Sequence, residues 1–145
     1  MRAAAPAAGI ASFDAHWLYF IETDGGLDEA TMDKARALLG AHHVFPGGDG
    51  FIVTPRKGTI SPWSSKATDI FHNCGLDAVK RVERGIYFEV RSASGALLSP
   101  AALQPALAAM HDRMTEGVYT EVSDLFAHRP PAPMREVDVL HGGRE

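Results

Sequence analysis

The feature that most constrains the fold is an alternation of strand-like and helix-like segments along the chain. Residues 16–22 (HWLYFIE) are rich in aromatic and β-branched side chains, a pattern typical of a strand that is mostly buried. Residues 28–39 instead repeat apolar side chains at helical spacing and stop before Gly40. Strand patterns also occupy residues 51–55, 79–90 and 118–122, and helix patterns occupy residues 64–73 and 99–114.

This order of elements predicts helices that pack on a small sheet. The pattern leaves two arrangements open, an α+β fold of the ferredoxin-like kind and a small α/β fold. We predict the first, an α+β, ferredoxin-like antiparallel sheet with helices packed on one face. The order of the strands does not follow from the sequence.

Several local signals place the ends of these elements. Pro55 lacks a backbone N–H and ends the second strand. Ser64 or Ser65 is predicted to cap the second helix with its side-chain oxygen. Ser99 and Pro100 are predicted to begin the third helix, as its N-cap and its first helical residue.

Strict alternation in the segment 79–90 begins at Gly85 and predicts a strand with one buried and one wet face. The wet face of such a strand explains Glu83, Tyr87 and Glu89 better than a catalytic pair of carboxylates does. Its other face is formed by Ile86, Phe88 and Val90.

Composition narrows the possible functions. Of 145 residues, 46% are hydrophobic and 22% are charged, close to globular averages, which excludes a disordered, collagen-like or coiled-coil chain. The net charge of −4 gives no overall field that would attract nucleic acid, so any anion site must be local. No apolar run reaches the ~18 residues that span a bilayer. The single cysteine, Cys74, suits a reducing compartment, and we expect a cytoplasmic protein without membrane or nucleic-acid partners.

Residues 54–69 (TPRKGTISPWSSKATD) form the most unusual stretch. Arg56, Lys57 and Lys66 all precede the first acidic residue, Asp69, and hydroxyl side chains are frequent. A loop that brings cations and hydroxyls to a helix N-terminus suits a phosphate, because free N–H groups and the helix dipole favour an anion there. The alternative is a solvated loop with an N-cap and with Trp63 folded onto the core, and composition alone favours it. The glycine spacings of the P-loop and dinucleotide motifs are absent.

Candidate metal ligands and nucleophiles are few. His42 and His43 are adjacent and would diverge by about 100° on a helix. His72 and Cys74 have no second pair at zinc spacing. One cysteine near one histidine is a weak basis for nucleophilic catalysis. We therefore predict no metal site and no catalytic residue in this chain.

Residues 54–76 (TPRKGTISPWSSKATDIFHNCGL) strongly resemble the N-terminal domain of the large, single-chain phosphoribosylformylglycinamidine synthase, also called formylglycinamide ribonucleotide amidotransferase. The resemblance covers most of residues 50–144 and is looser in residues 15–49. Lys57 stands where the family has proline, and Phe71 where alanine is usual. Shorter runs resemble the same family in the same order: ERG at 83–85, HDRMTE at 111–116, LFAH at 125–128, and VDVL followed by GR at 137–144.

The resemblance implies a compact α+β domain that looks like two copies of the small subunit of the multi-chain enzyme. In the family, the whole ligase of purine biosynthesis converts formylglycinamide ribonucleotide to its amidine with ATP, magnesium and ammonia released from glutamine. That chemistry belongs to a synthetase domain and a glutaminase domain, so the resemblance implies no catalytic residue and no cofactor in this chain. It also implies that residues 1–133 are the assembly domain without its first strand and helix. Residues 1–9 are interpreted as the end of that helix, and residues 134–145 as the start of a linker.

Our leading hypothesis is a non-catalytic assembly module that docks on the synthetase domain near its active site, through the loop 55–66 and the helix that follows. The competing hypothesis is a free-standing phosphate or nucleic-acid binding domain that uses the same basic loop. An exposed sheet edge also predicts a homodimer. The candidate residues for docking or for contact with substrate phosphate are Arg56, Ser61, Trp63, Ser64, Ser65, Lys66, Thr68 and Asp69.

Overall fold

The computed structural model describes residues 9–127. The predicted linker at residues 134–145 lies outside this range, as do residues 1–8 of the predicted helix end. The elements are β1 (Ile10–Thr23), α1 (Glu29–Leu39), β2 (Phe51–Pro55), α2 (Pro62–Asn73), β3 (Val79–Ser92), two short 3-10 helices (Pro100–Leu103 and Ala106–Ala109) and β4 (Glu116–Tyr119).

The four strands form one antiparallel sheet in the order β1-β3-β2-β4. β3 is its central strand, since it pairs with β1 along almost its whole length, from Ile10↔Ser92 to Thr23↔Val79. On its other side β3 pairs with the short β2, which in turn pairs with β4. This sheet with its two α-helices confirms the predicted α+β, ferredoxin-like fold.

Both α-helices pack against the first part of β3. Ala35 of α1 and Ala67 and Phe71 of α2 form a buried cluster with Val79 and Val82. Positions 67 and 71 are about one turn apart and share a helix face. Burial of a side chain such as Phe71 contributes about 1.5–3 kcal/mol, so this apolar stripe fixes the position of α2 on the sheet.

A second buried cluster holds β2 against the middle of β3. Phe51 lies opposite Phe88 in the register, with ring centroids 5.4 Å apart, and Leu103 and Leu107 complete the cluster from the segment after β3. Gly85 allows the close approach, because a Cβ there would lie 2.7 Å from the Val53 carbonyl oxygen. The cluster fixes the point at which the chain leaves β2 and enters the loop 55–61.

The burial predicted for the first strand is wrong. Residues 11–17 of β1 are exposed, and Leu18 is the one β1 residue that is buried. β1 is an edge strand among the described residues, pairing with β3 only. Its aromatic and β-branched composition predicted the strand but did not reveal its position in the sheet.

The wet face predicted for β3 is wrong at two of its positions. Tyr87 and Glu83 are both buried. The Tyr87 hydroxyl accepts the Gly50 N–H at 2.9 Å, and the Phe45 ring lies 4.8 Å from the Tyr87 ring. The loop before β2 therefore covers a face that alternation alone assigned to solvent.

The third predicted helix is wrong as a single α-helix. Ser99 is the N-cap as predicted, accepting the Ala102 N–H, but only two 3-10 helices form on either side of Pro105. Pro105 has no N–H to donate inside the predicted helix. The predicted strand 118–122 is shifted as well, since β4 ends at Tyr119.

Candidate functional site

The loop after β2 leads into α2, and the residue that caps this helix is Ser61. Its hydroxyl accepts the Ser64 N–H at 3.0 Å, and Pro62 occupies the first turn. The prediction of Ser64 or Ser65 as the cap is therefore wrong by about one turn. Proline is favoured at the first helical position because its fixed φ suits the helix and its missing N–H would have no partner there.

Two hydroxyl residues on the inner side of α2 bind β3. The Ser64 hydroxyl donates to the Val82 carbonyl at 2.6 Å and accepts from Arg81 Nε at 3.1 Å. The Thr68 hydroxyl accepts the Val82 N–H at 3.0 Å and donates to the Ser64 carbonyl at 2.8 Å. Both backbone groups of Val82 are thus satisfied by α2, so these hydroxyls fasten the helix to the sheet.

Glu83 places a buried carboxylate at the N-terminus of α2. It is 0% exposed, accepts the Ser61 hydroxyl at 2.9 Å, and pairs with the Arg81 guanidinium at 3.1 Å. The Ser61 N–H at 3.4 Å and the Arg84 N–H at 3.0 Å also donate to it. A helix N-terminus favours negative charge, and here the protein supplies that charge itself. Composition gave no signal for this, because Glu83 lies far from the loop in sequence.

The outer side of α2 carries the remaining candidates from the helix. Ser65, Lys66 and Asp69 are exposed, and Ile70 beside them is 46% exposed. The Ser65 hydroxyl reaches only the Ser61 carbonyl, at 3.5 Å. Within residues 9–127, the side chains of Lys66 and Asp69 have no hydrogen-bond or ion-pair partner. These side chains are available to another surface.

Trp63 takes part in an aromatic stack with a cation. The Arg84 guanidinium lies 4.8 Å from the Trp63 ring and 4.9 Å from the Trp17 ring, and Tyr19 lies 6.0 Å from Trp63. A guanidinium above an aromatic face is attracted by the ring's quadrupole. The stack borders a groove of about 590 Å³ whose other walls include the exposed Ile60.

The composition of the loop suggested cations that are free to bind a phosphate, but two of them form contacts within the chain. The Arg56 guanidinium donates to the Arg113 carbonyl at 2.6 Å, and the backbone N–H of Arg56 donates to the Thr115 carbonyl at 3.1 Å. Lys57 pairs with Asp124 and lies 4.6 Å from the Tyr119 ring centroid. A free-standing nucleic-acid binding domain would need several uncommitted cations here, and within the described part of the chain Lys66 is the loop's one cation without such a contact.

No group of three or more potential metal ligands occurs among residues 9–127. The two α-helices in this range have 11 and 12 residues, and neither could span a membrane.

The fold and the site define an α+β domain whose buried polar groups fasten one helix to a sheet and whose outer surfaces carry exposed apolar and charged side chains. Comparison with known families then identifies it further. The family model of the formylglycinamide ribonucleotide amidotransferase N-terminal domain matches residues 16–127. That match spans most of the chain, and the chain belongs to this family.

Proposed function

We propose that this chain is the non-catalytic assembly module of phosphoribosylformylglycinamidine synthase and that it docks on the synthetase domain near its active site. The docking surface is the outer side of the loop 55–66 and of α2. ATP and magnesium would bind in the synthetase domain, glutamine would be hydrolysed in the glutaminase domain, and the enzyme would work in the cytoplasm.

The observation that carries this proposal is the division of α2 into two sides. The hydroxyls of Ser64 and Thr68 form hydrogen bonds to β3. The side chains of Lys66 and Asp69, in contrast, are exposed and have no partner in residues 9–127. Positions 66, 69 and 70 recur at helical spacing and form one continuous stripe. A stripe of two opposite charges beside an exposed isoleucine suits a partner surface that is itself partly apolar and partly charged.

The loop before α2 extends this stripe. Ile60 is 65% exposed although it lies between two ordered elements. Its position is set by Arg81, whose guanidinium donates to the carbonyl of the adjacent Thr59 at 2.6 Å. Ile60 in the loop and Ile70 on α2 therefore both supply exposed apolar area, and covering such area is what stabilises a docked domain.

The test uses the full-length enzyme with the variants Lys66→Glu and Ile70→Asp. Both residues are exposed, so the domain should fold normally. We expect kcat/KM for the ribonucleotide to fall about tenfold or more, because small misplacements of a supporting domain are costly at an active site.

The matched control is Lys80→Glu, which reverses an exposed cation on β3 that pairs with Asp24. It should leave both the Michaelis constant and turnover unchanged. Wild-type kinetics in Lys66→Glu and Ile70→Asp, with the domain folded, would show that the outer side of α2 is not the docking surface.

A second proposal concerns the open edge of β1, where we infer a twofold pairing with another copy of this chain. Residues 11–17 are exposed in a strand that pairs on one side only among the described residues. Such an edge is a template for strand pairing. The Ala15 N–H is bonded at 3.0 Å to the carboxylate of its own neighbour, Asp14, so it does not donate to β3 in the structure.

A twofold axis at Ala15 would place complementary side chains of the two copies opposite each other. In that antiparallel register Phe13 faces Trp17 of the second copy, and both side chains are exposed in the single chain. Asp14 would face His16, its partner at 3.2 Å within one chain. Aromatic pairs and opposite charges are the favourable cross-strand combinations.

Sedimentation of the 145-residue chain tests the dimer. We expect reversible, concentration-dependent dimers, weakened about tenfold or more by Phe13→Glu, which sets a carboxylate opposite an indole. Ile70→Asp, at an exposed position of α2, is the control. A chain that stays monomeric at high concentration, or that dimerises equally well with Phe13→Glu, would contradict the proposed edge.

A further inference from the structure

A second pocket, of about 520 Å³, lies beside β4 on the edge of the sheet opposite β1. We call it the edge pocket. It brings together two runs that are far apart in the sequence, PRK at 55–57 and HDR at 111–113. Its lining residues are Arg56, Lys57, His111, Arg113, Glu116, Gly117, Val118 and Tyr119.

A tight turn presents the second of these runs to the pocket. The Asp112 carboxylate accepts the Met114 N–H at 2.8 Å and the Thr115 hydroxyl at 2.9 Å. The Glu116 N–H donates to the Asp112 carbonyl at 2.8 Å and closes the turn. Arg113 therefore stands at the tip of a turn whose own hydrogen bonds are complete.

The two runs are also bonded to each other. Arg56 holds the carbonyls of Arg113 and Thr115 through its guanidinium and its backbone N–H. The Lys57 N–H donates to the Tyr119 hydroxyl at 3.2 Å. Each of these hydrogen bonds has a backbone group as at least one partner, so the two runs are held at fixed positions beside the pocket.

Most of the charged side chains that line the pocket are cationic. Arg56, Lys57 and Arg113 line it, against a single lining carboxylate, Glu116. That carboxylate already accepts the Asp112 N–H at 2.8 Å. Lys57 is paired with Asp124, but Arg113 has no carboxylate within ion-pair distance among residues 9–127.

His111 adds a further polar group. One ring nitrogen, Nδ1, lies 2.8 Å from the Leu107 carbonyl, and only a protonated Nδ1 can donate to that oxygen. The other nitrogen, Nε2, has no hydrogen-bond partner among residues 9–127, and the ring is part of the pocket lining. The ring is held in one orientation by a backbone contact, as binding histidines commonly are.

We propose that the edge pocket binds a phosphate monoester. A phosphate carries a charge of about −1.5 to −2 at neutral pH and three acceptor oxygens. Guanidinium groups match that geometry with paired N–H donors. In a chain of net charge −4, a local site of this kind is how a polyanionic group would be held. The pocket shares Arg56 and Lys57 with the loop of the proposed docking surface, but its affinity for a phosphate is a property of this chain alone and does not rest on the docking proposal.

The probe for this site is ribose 5-phosphate, with inorganic phosphate and free ribose in parallel titrations. Amide NMR shifts of the 145-residue chain report binding residue by residue. We expect saturable shifts at residues 56–57 and 111–119 with both phosphate compounds and none with ribose. Arg113→Gln should weaken the binding about tenfold or more, the usual effect of losing a charged hydrogen bond.

The control variant is Arg36→Gln, which removes a partly exposed arginine of α1 that does not line the edge pocket. It should bind like the wild type. Absence of saturable shifts, or equal binding by Arg113→Gln, would overturn the proposal. So would binding of single-stranded RNA in the absence of any binding of ribose 5-phosphate. None of these outcomes depends on how the synthetase domain is docked.

Discussion

The two sides of α2 differ in what their polar residues do. On the inner side, Ser64 is fully buried and shares a network with Arg81 and Glu83. On the outer side, Ser65 and Lys66 are exposed. One helix of twelve residues thus has one side that stabilises the fold and another side that is open to contact with another molecule. A long run that is characteristic of a family can therefore owe part of its character to the stability of the fold rather than to chemistry.

Among substitutions that test the difference between the two sides, Glu83→Ala should reduce the free energy of unfolding most. The substitution removes the acceptor of Ser61 and leaves the Arg81 guanidinium without its carboxylate. Breaking a buried pair on one side costs about 3–5 kcal/mol. We expect a loss of that size in the free energy of unfolding, measured by urea denaturation.

The matched control is Glu89→Ala on the same strand. Glu89 pairs with Arg91 at a partly exposed site, where ion pairs contribute about 0–1 kcal/mol. Equal losses in the two variants would mean that burial does not distinguish the inner network from an ordinary surface pair.

Two neighbouring serines give a smaller and more direct test of the two sides. Ser64→Ala removes the donor to Val82 and the acceptor of Arg81 Nε, with an expected cost of about 1–3 kcal/mol. Ser65→Ala changes an exposed position and should stay within about 0.5 kcal/mol of the wild type. Thermal or urea unfolding of the pair measures the difference. A greater loss in Ser65→Ala than in Ser64→Ala would reverse the assignment of the sides.

Local signals in the sequence predicted much of this fold. α1 occupies Glu29–Leu39, close to the predicted residues 28–39, and ends at Gly40 as the pattern indicates. β2 ends where Pro55 lacks a donor. The start of α2 could have been predicted in the same way, because Ser61 and Pro62 repeat the Ser–Pro signal that correctly identified Ser99 as an N-cap.

Failures occurred where the outcome depends on distant parts of the chain. The apolar spacing across residues 99–114 is real, since Leu103 and Leu107 are both buried, but Pro105 splits the segment into two 3-10 helices. Glu83 looked like a surface charge because Ser61, which donates to its carboxylate, lies 22 residues away in the sequence and becomes its neighbour only in the folded chain. Likewise, no local pattern could bring HDR at 111–113 beside PRK at 55–57. Tertiary contact decided each of these cases.

The smallest predicted effect compares the caps of the two helices. α1 is capped by the exposed Asp28, whose carboxylate accepts the Thr31 N–H at 2.7 Å, whereas α2 is capped by the hydroxyl of Ser61. Hydrogen bonds from the Thr31 side chain and then from its backbone N–H lower the pKa of Asp28 below its usual 3.8. A lowered pKa in the folded state means that this cap stabilises the fold above pH 3.8, and that its contribution is lost as pH falls through the lower value of the folded chain. We expect the Thr31 amide shift in NMR to titrate below pH 3.8 in the wild type and to become flat in Asp28→Ser, which keeps a capping oxygen but no ionisable group. Persistence of the same titration in Asp28→Ser would assign it to another carboxylate and would remove this difference between the two helices.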